Sequence, residues 1–220
     1  AIKANPHFLA ARLALADVML KLRRPQGAVA VLDAAPKEQQ DLAAVAVARI
    51  WALLAAGDFD AARRSLAELT SRPGAPPYDS LLQAAALKMR DGDHAAAQAS
   101  LEAALSKNPS DWRAAELLAR SLVSQRETAA AVEKLRGYAS KAPQSAQMHV
   151  LLGRVLVSAG DTAGARRAFE TACALNERLS APQIALAEMD ARAGALEAAR
   201  QRLTKLAASN PRDSEALIAL

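Results

Sequence analysis

One spacing constrains this chain more than any other property. A small residue recurs as Ala28, Ala62, Ala97, Ala131, Ala165 and Ala199. A bulky residue four places later recurs as Leu32, Leu66, Leu101, Leu135, Phe169 and Leu203. Both series step by 34 residues, with a single step of 35. A turn recurs as Gly57-Asp58, Gly92-Asp93, Gly160-Asp161 and Gly194-Ala195, and proline as Pro6, Pro109, Pro143 and Pro211. Alanine is so abundant that its own series is weak. The joint register of Ala, Leu or Phe, Gly-Asp and Pro carries the weight. A fixed period of this length marks a repeat architecture, in which one unit cannot bury its apolar face alone and neighbours must stack on it.

The stretch 146–179 shows the unit most clearly. Val150, Leu151, Leu152, Val155 and Leu156 stand at helical spacing. Gly160 then closes that helix, since Gly takes the left-handed conformation readily, and the following Asp caps the next. Ala165, Ala168, Phe169 and Ala172 form the apolar stripe of a second helix. Gly153 and Ala165 allow a close approach of the two, and Phe169 fills the space beyond.

These residues resemble the tetratricopeptide repeat (TPR), a helix–turn–helix unit of this period. Repeats fall at 9–42, 43–77, 78–111, 112–145, 146–179 and 180–213, with 1–8 and 214–220 as parts of flanking repeats. The resemblance implies an all-α fold, a right-handed α-solenoid forming one domain over 1–220. It departs from the family in its aromatics. The usual Trp of the first helix is replaced by Arg12, Ala46, Leu81, Ala115, His149 and Gln183. The usual mid-helix aromatic is replaced by Met19, Leu53, Lys88, Leu122, Leu156 and Asp190.

Composition agrees with this reading. Hydrophobic residues make up 52% of the chain but aromatics only 3%, so Ala, Leu and Val must build a core at short helix–helix distances. That suits helices and argues against a β-sandwich. No apolar run is long enough to span a membrane. The net charge of +5 reads as a mildly basic surface, or as attraction to an acidic partner. Nucleic acid is not expected, because no Lys/Arg run is interleaved with aromatics. The single Cys173 excludes an internal disulfide and reads as a small filler on a second helix.

Local irregularities are expected at four places. Arg23-Arg24-Pro25 and Arg126-Glu127-Thr128 replace Gly-Asp, with Pro25 opening a second helix. Pro36 ends that helix early, so the link through Gln39-Gln40 is expected to be loose. The extra residue falls in the stretch from Arg72 to Pro77, which is expected to be non-helical and the nearest thing to a hinge. Ala1–Pro6 reads as the tail of an earlier repeat, and the chain as a piece of a longer protein. Both ends are then expected to expose apolar surface and to favour end-to-end self-association.

No catalytic residue, cofactor or metal is expected, and the chain does not read as an enzyme. His7, His94 and His149 lack the i, i+4 spacing of a helical metal pair. Asp91-Gly92-Asp93 coincides with a repeat turn and lacks the further ligands of a calcium loop. Gly160 and Gly164 flank a turn with no Gly-Lys-Ser/Thr behind it. Glu197–Arg200 and Glu133–Arg136 read as helix-surface ion pairs.

In the TPR family the first helices line a concave groove, and the resemblance carries that role onto this chain. The outward places are Val47, Trp51, Leu82 and Met89 in an apolar half. Arg90, Arg113, Glu116, Arg120, Val150, Arg154 and Val157 follow in a basic stretch. Trp51 is the candidate anchor, or else simply packs between first helices. Arg120 and Arg154, at equivalent places one repeat apart, are the candidates to hold a carboxylate. Repeat four alone carries six Lys/Arg against three Glu. Some family members grip an acidic C-terminal tail with Lys and Asn, but these first helices contain no Asn. The function expected is a protein-interaction scaffold for a peptide or protein with acidic groups; the alternative is a spacer between other domains. The Ala- and Arg-rich composition looks bacterial, and the compartment stays open between cytoplasm and cell envelope.

Overall fold

The computed structural model describes residues 7–75 and 77–209. These hold thirteen α-helices and no strand. The chain divides into two units, residues 1–104 and 105–220. The first carries α1 (Leu9–Lys21), α2 (Pro25–Asp33), the short α3 (Lys37–Gln40), α4 (Ala43–Ala56), α5 (Phe59–Ser71) and α6 (Pro77–Arg90). The division falls within α7 (His94–Lys107). The second carries α8 (Trp112–Ser124), α9 (Thr128–Lys141), α10 (Ala146–Ser158), α11 (Thr162–Leu175), α12 (Ser180–Arg192) and α13 (Leu196–Ser209). The expectations for Ala1–Pro6, Pro211 and 214–220 lie outside the described residues.

Every first helix ends in the same way. The amide N–H of Arg24, Asp58, Asp93, Glu127, Asp161 and Ala195 donates to the carbonyl of Met19, Leu53, Lys88, Leu122, Leu156 and Asp190, at 2.8 to 3.0 Å. This reach back past the last turn needs a left-handed residue just before the donor. Gly160 supplies it at φ 79°, and where glycine is missing Arg23 and Arg126 take φ 55° and 65°. The next residue then starts the second helix. Asp58, Asp93 and Asp161 accept from the N–H of Ala61, Ala96 and Gly164 at 3.1, 3.1 and 2.8 Å, satisfying one of the orphan donors of each helix start.

The small-residue series is the packing series. Ala28, Ala62, Ala97, Ala131 and Ala165 are all 0% exposed. Leu32, Leu101, Leu135 and Phe169 are at most 1% exposed. In the first unit, Ile50, Leu53, Ala62, Leu66, Leu69 and Leu87 form one core cluster, and Ala16, Ala28, Leu32, Val45 and Ala52 another. In the second, Leu118, Leu122, Met148, Leu156, Phe169 and Leu186 are buried to 2% or less. The helices α10 and α11 pack closely at Gly153: a Cβ built there would stand 2.5 Å from Cε1 of Phe169. The expected close approach is therefore present, and it depends on the missing side chain.

Two expectations are corrected. The link after Pro36 is pinned rather than loose. Lys37–Gln40 form a helical turn, and Gln39 is buried, with its Nε2 donating to the His7 carbonyl at 2.8 Å. Arg12, buried where the family places Trp, donates to Gln39 Oε1 at 3.2 Å and to the Val31 carbonyl at 2.7 Å. The stretch from Arg72 is non-helical through Ala75, but Pro77 is the first residue of α6, where a missing N–H costs nothing. Arg72 is tied to Glu68 at 2.6 Å and to the Asp41 carbonyl at 3.1 Å.

Polar side chains also replace the missing mid-helix aromatics. Lys88 Nζ donates to Ser100 Oγ at 3.0 Å, tying α6 to α7. Asp190, 7% exposed, sits between Arg166 of α11 at 2.8 Å and Arg202 of α13 at 3.4 Å. Burial alone would push this carboxyl up. The hydrogen bonds and charges of Arg166 and Arg202 outweigh that and hold it below the usual carboxylate range.

Candidate partner-binding surface

Within each unit the first helices of successive repeats pack side by side: α1 on α4 and α4 on α6 in the first, α8 on α10 in the second. Such a row presents one residue in each turn to a common face. The candidate residues divide into those open to a partner and those used up in packing.

In the first unit, Leu82 is only 2% exposed and belongs to the core, so it offers no open surface. Val47 is half-buried and packs against the Ile50 cluster. Its carbonyl accepts from Gln83 Nε2 at 2.9 Å, which ties α6 to α4. Trp51 and Met89 are half-buried. Arg90 is exposed, and its guanidinium lies 4.8 Å above the Phe59 ring, a cation–π contact that holds the group in place. Phe59 escaped the sequence reading because it opens a second helix rather than lying on a first.

In the second unit, Arg113 is folded back onto Asp111 at 3.1 Å, the N-cap of its own helix. Glu116 of α8 and Arg154 of α10 meet across the helix pair at 3.9 Å. Arg120 is exposed and makes no ion pair or hydrogen bond among the described residues. Val150 is half-buried and Val157 is 44% exposed. Glu116 and Arg154 are thus brought together, Arg113 is paired with its own N-cap, and Arg120 is left open. The exposed Trp112 at the start of α8 was not singled out by repeat position.

No group of three or more potential metal ligands occurs among the described residues. The acidic turn expected not to bind calcium is used internally: Asp91 pairs with Arg63, and Asp93 caps α7. His149 Nε2 lies 3.1 Å from the Pro143 carbonyl. Glu197 and Arg200 pair at 3.2 Å as expected, but Arg136 pairs with Asp161 at 3.2 Å instead of with Glu133. Among the described residues no helix is long and apolar enough to cross a membrane.

Paired helices closed by identical turns, with first helices aligned, define a class: the helical-repeat scaffolds that present a continuous face to other proteins. The chain belongs to the tetratricopeptide repeat family. The model of a tetratricopeptide repeat-like domain matches residues 36–183, and that of a tetratricopeptide repeat matches residues 1–50. Members of this family are generally non-catalytic scaffolds that bind protein partners. No curated protein matches the chain at a comparable level. Among solved structures, TTC0263, a thermophilic TPR protein of Thermus thermophilus, is 17% identical with a TM-score of 0.60, covering 95% of each chain. MamA of Desulfovibrio magneticus is 21% identical with a TM-score of 0.55, covering 79% of this chain and 98% of its own. PilF of Pseudomonas aeruginosa is 14% identical with a TM-score of 0.55, covering 94% of each chain. Identities this low establish the shared fold.

Proposed function

We propose that the protein is a non-catalytic scaffold whose first helices bind an extended or helical peptide of a protein partner. Each unit contributes its own stretch of surface in this reading. The first contributes apolar anchors at Trp51 and Met89. The second contributes a carboxylate-binding stretch at Arg120 and Arg154. The observation that carries the reading is that Arg120, exposed and unpaired among the described residues, stands one turn of α8 after Glu116, which meets Arg154 only at 3.9 Å. At 3.9 Å that pair is weak, and an incoming carboxylate can compete for Arg154 with little loss. Leu82 drops out of the binding set because it is buried.

The test is an affinity capture with the intact chain, compared with Trp51→Ala and with Arg120→Glu/Arg154→Glu. Selective loss of the same captured proteins in both variants supports the reading. An unchanged captured set removes the first-helix surface and favours the spacer. Association between copies through the outer repeats belongs to the same proposal, supported by the exposed Phe8, Val18 and Leu22 at and along α1. Light scattering that stays monomeric at high concentration counts against it.

A further inference from the structure

A cleft of about 730 Å3 opens between α11 and α13, with Gln183 of α12 in its wall. The first unit holds a cleft of about 370 Å3 between α2 and α5. The two are equivalent by register. The offset that carries Ala62 onto Ala199 also carries Asp41 onto Arg178, Ser65 onto Arg202 and Glu68 onto Lys205. All six line their respective clefts.

Equivalent position comes with opposite electrostatics. In the first cleft each cation is answered from within. Arg49 is held by Asp33 at 2.5 Å and Ser65 at 2.7 Å, and Arg72 by Glu68 at 2.6 Å. In the second cleft two of the acidic places have become basic, as Arg178 and Lys205. Among the described lining residues Glu177 is the one carboxylate. Arg202 is held by Asp190 at 3.4 Å and by Gln183 Oε1 at 3.2 Å. Lys205 is exposed and has no ion-pair partner among the described residues. The cleft lies within the size range of ligand pockets, roughly 300–1,000 Å3. No aromatic side chain lines it on which a base would stack.

We propose that this cleft is a second docking site, on the second-helix side of the repeats, for an acidic segment of a protein partner. Lys205 supplies a compact charge for a carboxylate, and the charge of Arg178 adds to the positive field of the cleft. Arg202, already neutralised by Asp190, sets a fixed wall. Gln183 has its carbonyl occupied by Arg202 and keeps its NH2 to donate to a bound carboxylate or main-chain carbonyl. Binding here is independent of Arg120 and Arg154, so failure of the first-helix reading leaves this one standing.

The test uses the whole chain and a fluorescein-labelled hexapeptide of alternating Glu and Asp, read by anisotropy at low and high salt. Cys173, the chain's single cysteine, lines the cleft, so its alkylation by iodoacetamide reports occupancy of this place alone. Saturable binding that slows Cys173 alkylation is expected. Arg178→Glu/Lys205→Glu should weaken binding by about tenfold or more, because it reverses both rim charges. Arg120→Glu/Arg154→Glu and a Gln/Asn hexapeptide separate the cleft from the other basic surface and from uncharged binding. The former should leave the peptide's protection of Cys173 in place, whatever binding it removes at the first helices, and the latter should not bind. Circular dichroism checks the fold of each variant, and Cys173 protection in the unmutated chain stands on its own. Three results would overturn the proposal: no saturable binding; binding lost in Arg120→Glu/Arg154→Glu with Cys173 alkylation unchanged; or an oligothymidylate bound as tightly as the acidic peptide.

Discussion

Replacing Gly153 by Ala should destabilise the α10–α11 pair, and replacing Phe169 by Leu in the same chain should rescue it. The new Cβ would stand 2.5, 2.7 and 2.9 Å from Cε1, Cδ1 and Cζ of Phe169. Ordinary carbon contacts lie at about 3.5–4.0 Å, so the helices or the ring must move apart by about 1 Å. Phe169 is 1% exposed and has no open space to swing into. Overpacking costs about 1–3 kcal/mol, and a clash this close belongs in the upper half of that range. Helix propensity returns about 1 kcal/mol on exchanging Gly for Ala. The net loss is about 1–2 kcal/mol. Phe169→Leu alone leaves a small cavity and costs about 1 kcal/mol. The other repeats show why the two changes compensate. At the same register four of the other five pair Ala16 with Leu32, Ala85 with Leu101, Ala119 with Leu135 and Ala187 with Leu203, and the second pairs Ile50 with Leu66. The double variant recreates that pairing and should lie within about 1 kcal/mol of the parent, a coupling of about 1.5 kcal/mol. Urea unfolding by circular dichroism measures the totals, and amide exchange in α10 and α11 localises them, since repeat arrays open segment by segment. Effects that simply add to within about 0.5 kcal/mol, or a Gly153→Ala chain more stable than the parent, would refute the packing argument.

Three further predictions follow from the same contacts. Asp190→Asn should cost about 2 kcal/mol at neutral pH, because it leaves Arg166 and Arg202 without a carboxylate. The Asp190 carboxyl is held below its unfolded value, so its contribution is present above about pH 4 and is lost as pH falls through the folded pKa. Acid titration of stability should therefore be shallower in the Asn variant. Arg126→Gly should raise the melting temperature by relieving a left-handed non-glycine residue, a gain of about 0.5 kcal/mol, whereas Gly160→Arg should cost about 1 kcal/mol. Asp161→Ala should cost about 1 kcal/mol by removing the cap on Gly164 N–H, and fluorescence or dichroism melts measure it.

Repeat boundaries were legible because three signals coincide at the turns Gly57-Asp58, Gly92-Asp93 and Gly160-Asp161: an apolar stripe that ends, a left-handed residue and a capping Asp. The helix Ala43–Ala56 ends at Gly57-Asp58 for that reason. Arg23 and Arg126 show that the turn persists even without glycine, since the fold over-determines it. What the polar replacements do was not legible. Arg12, Lys88 and Asp190 read as departures from the family, and their partners Gln39, Ser100 and Arg166 become visible only when helices distant in sequence are brought together. The binding surface was legible only as a list of outward places. Helical phase cannot tell whether a residue such as Leu82 faces a neighbouring helix or solvent, because both sides of a stacked first helix carry apolar residues. Nor does it show that Arg113 turns back to its own cap while Arg120 stays open.

Each helix pair gains its stability from neighbours and has too little of its own; everything else about the fold follows from that. The most direct measurement is the far-UV dichroism of the isolated stretch 146–179, set against the same residues within the whole chain. A largely unfolded peptide with no cooperative melt is expected, because a single unit cannot bury its apolar face and stacking supplies most of its stability. A helical peptide that melts cooperatively would contradict it.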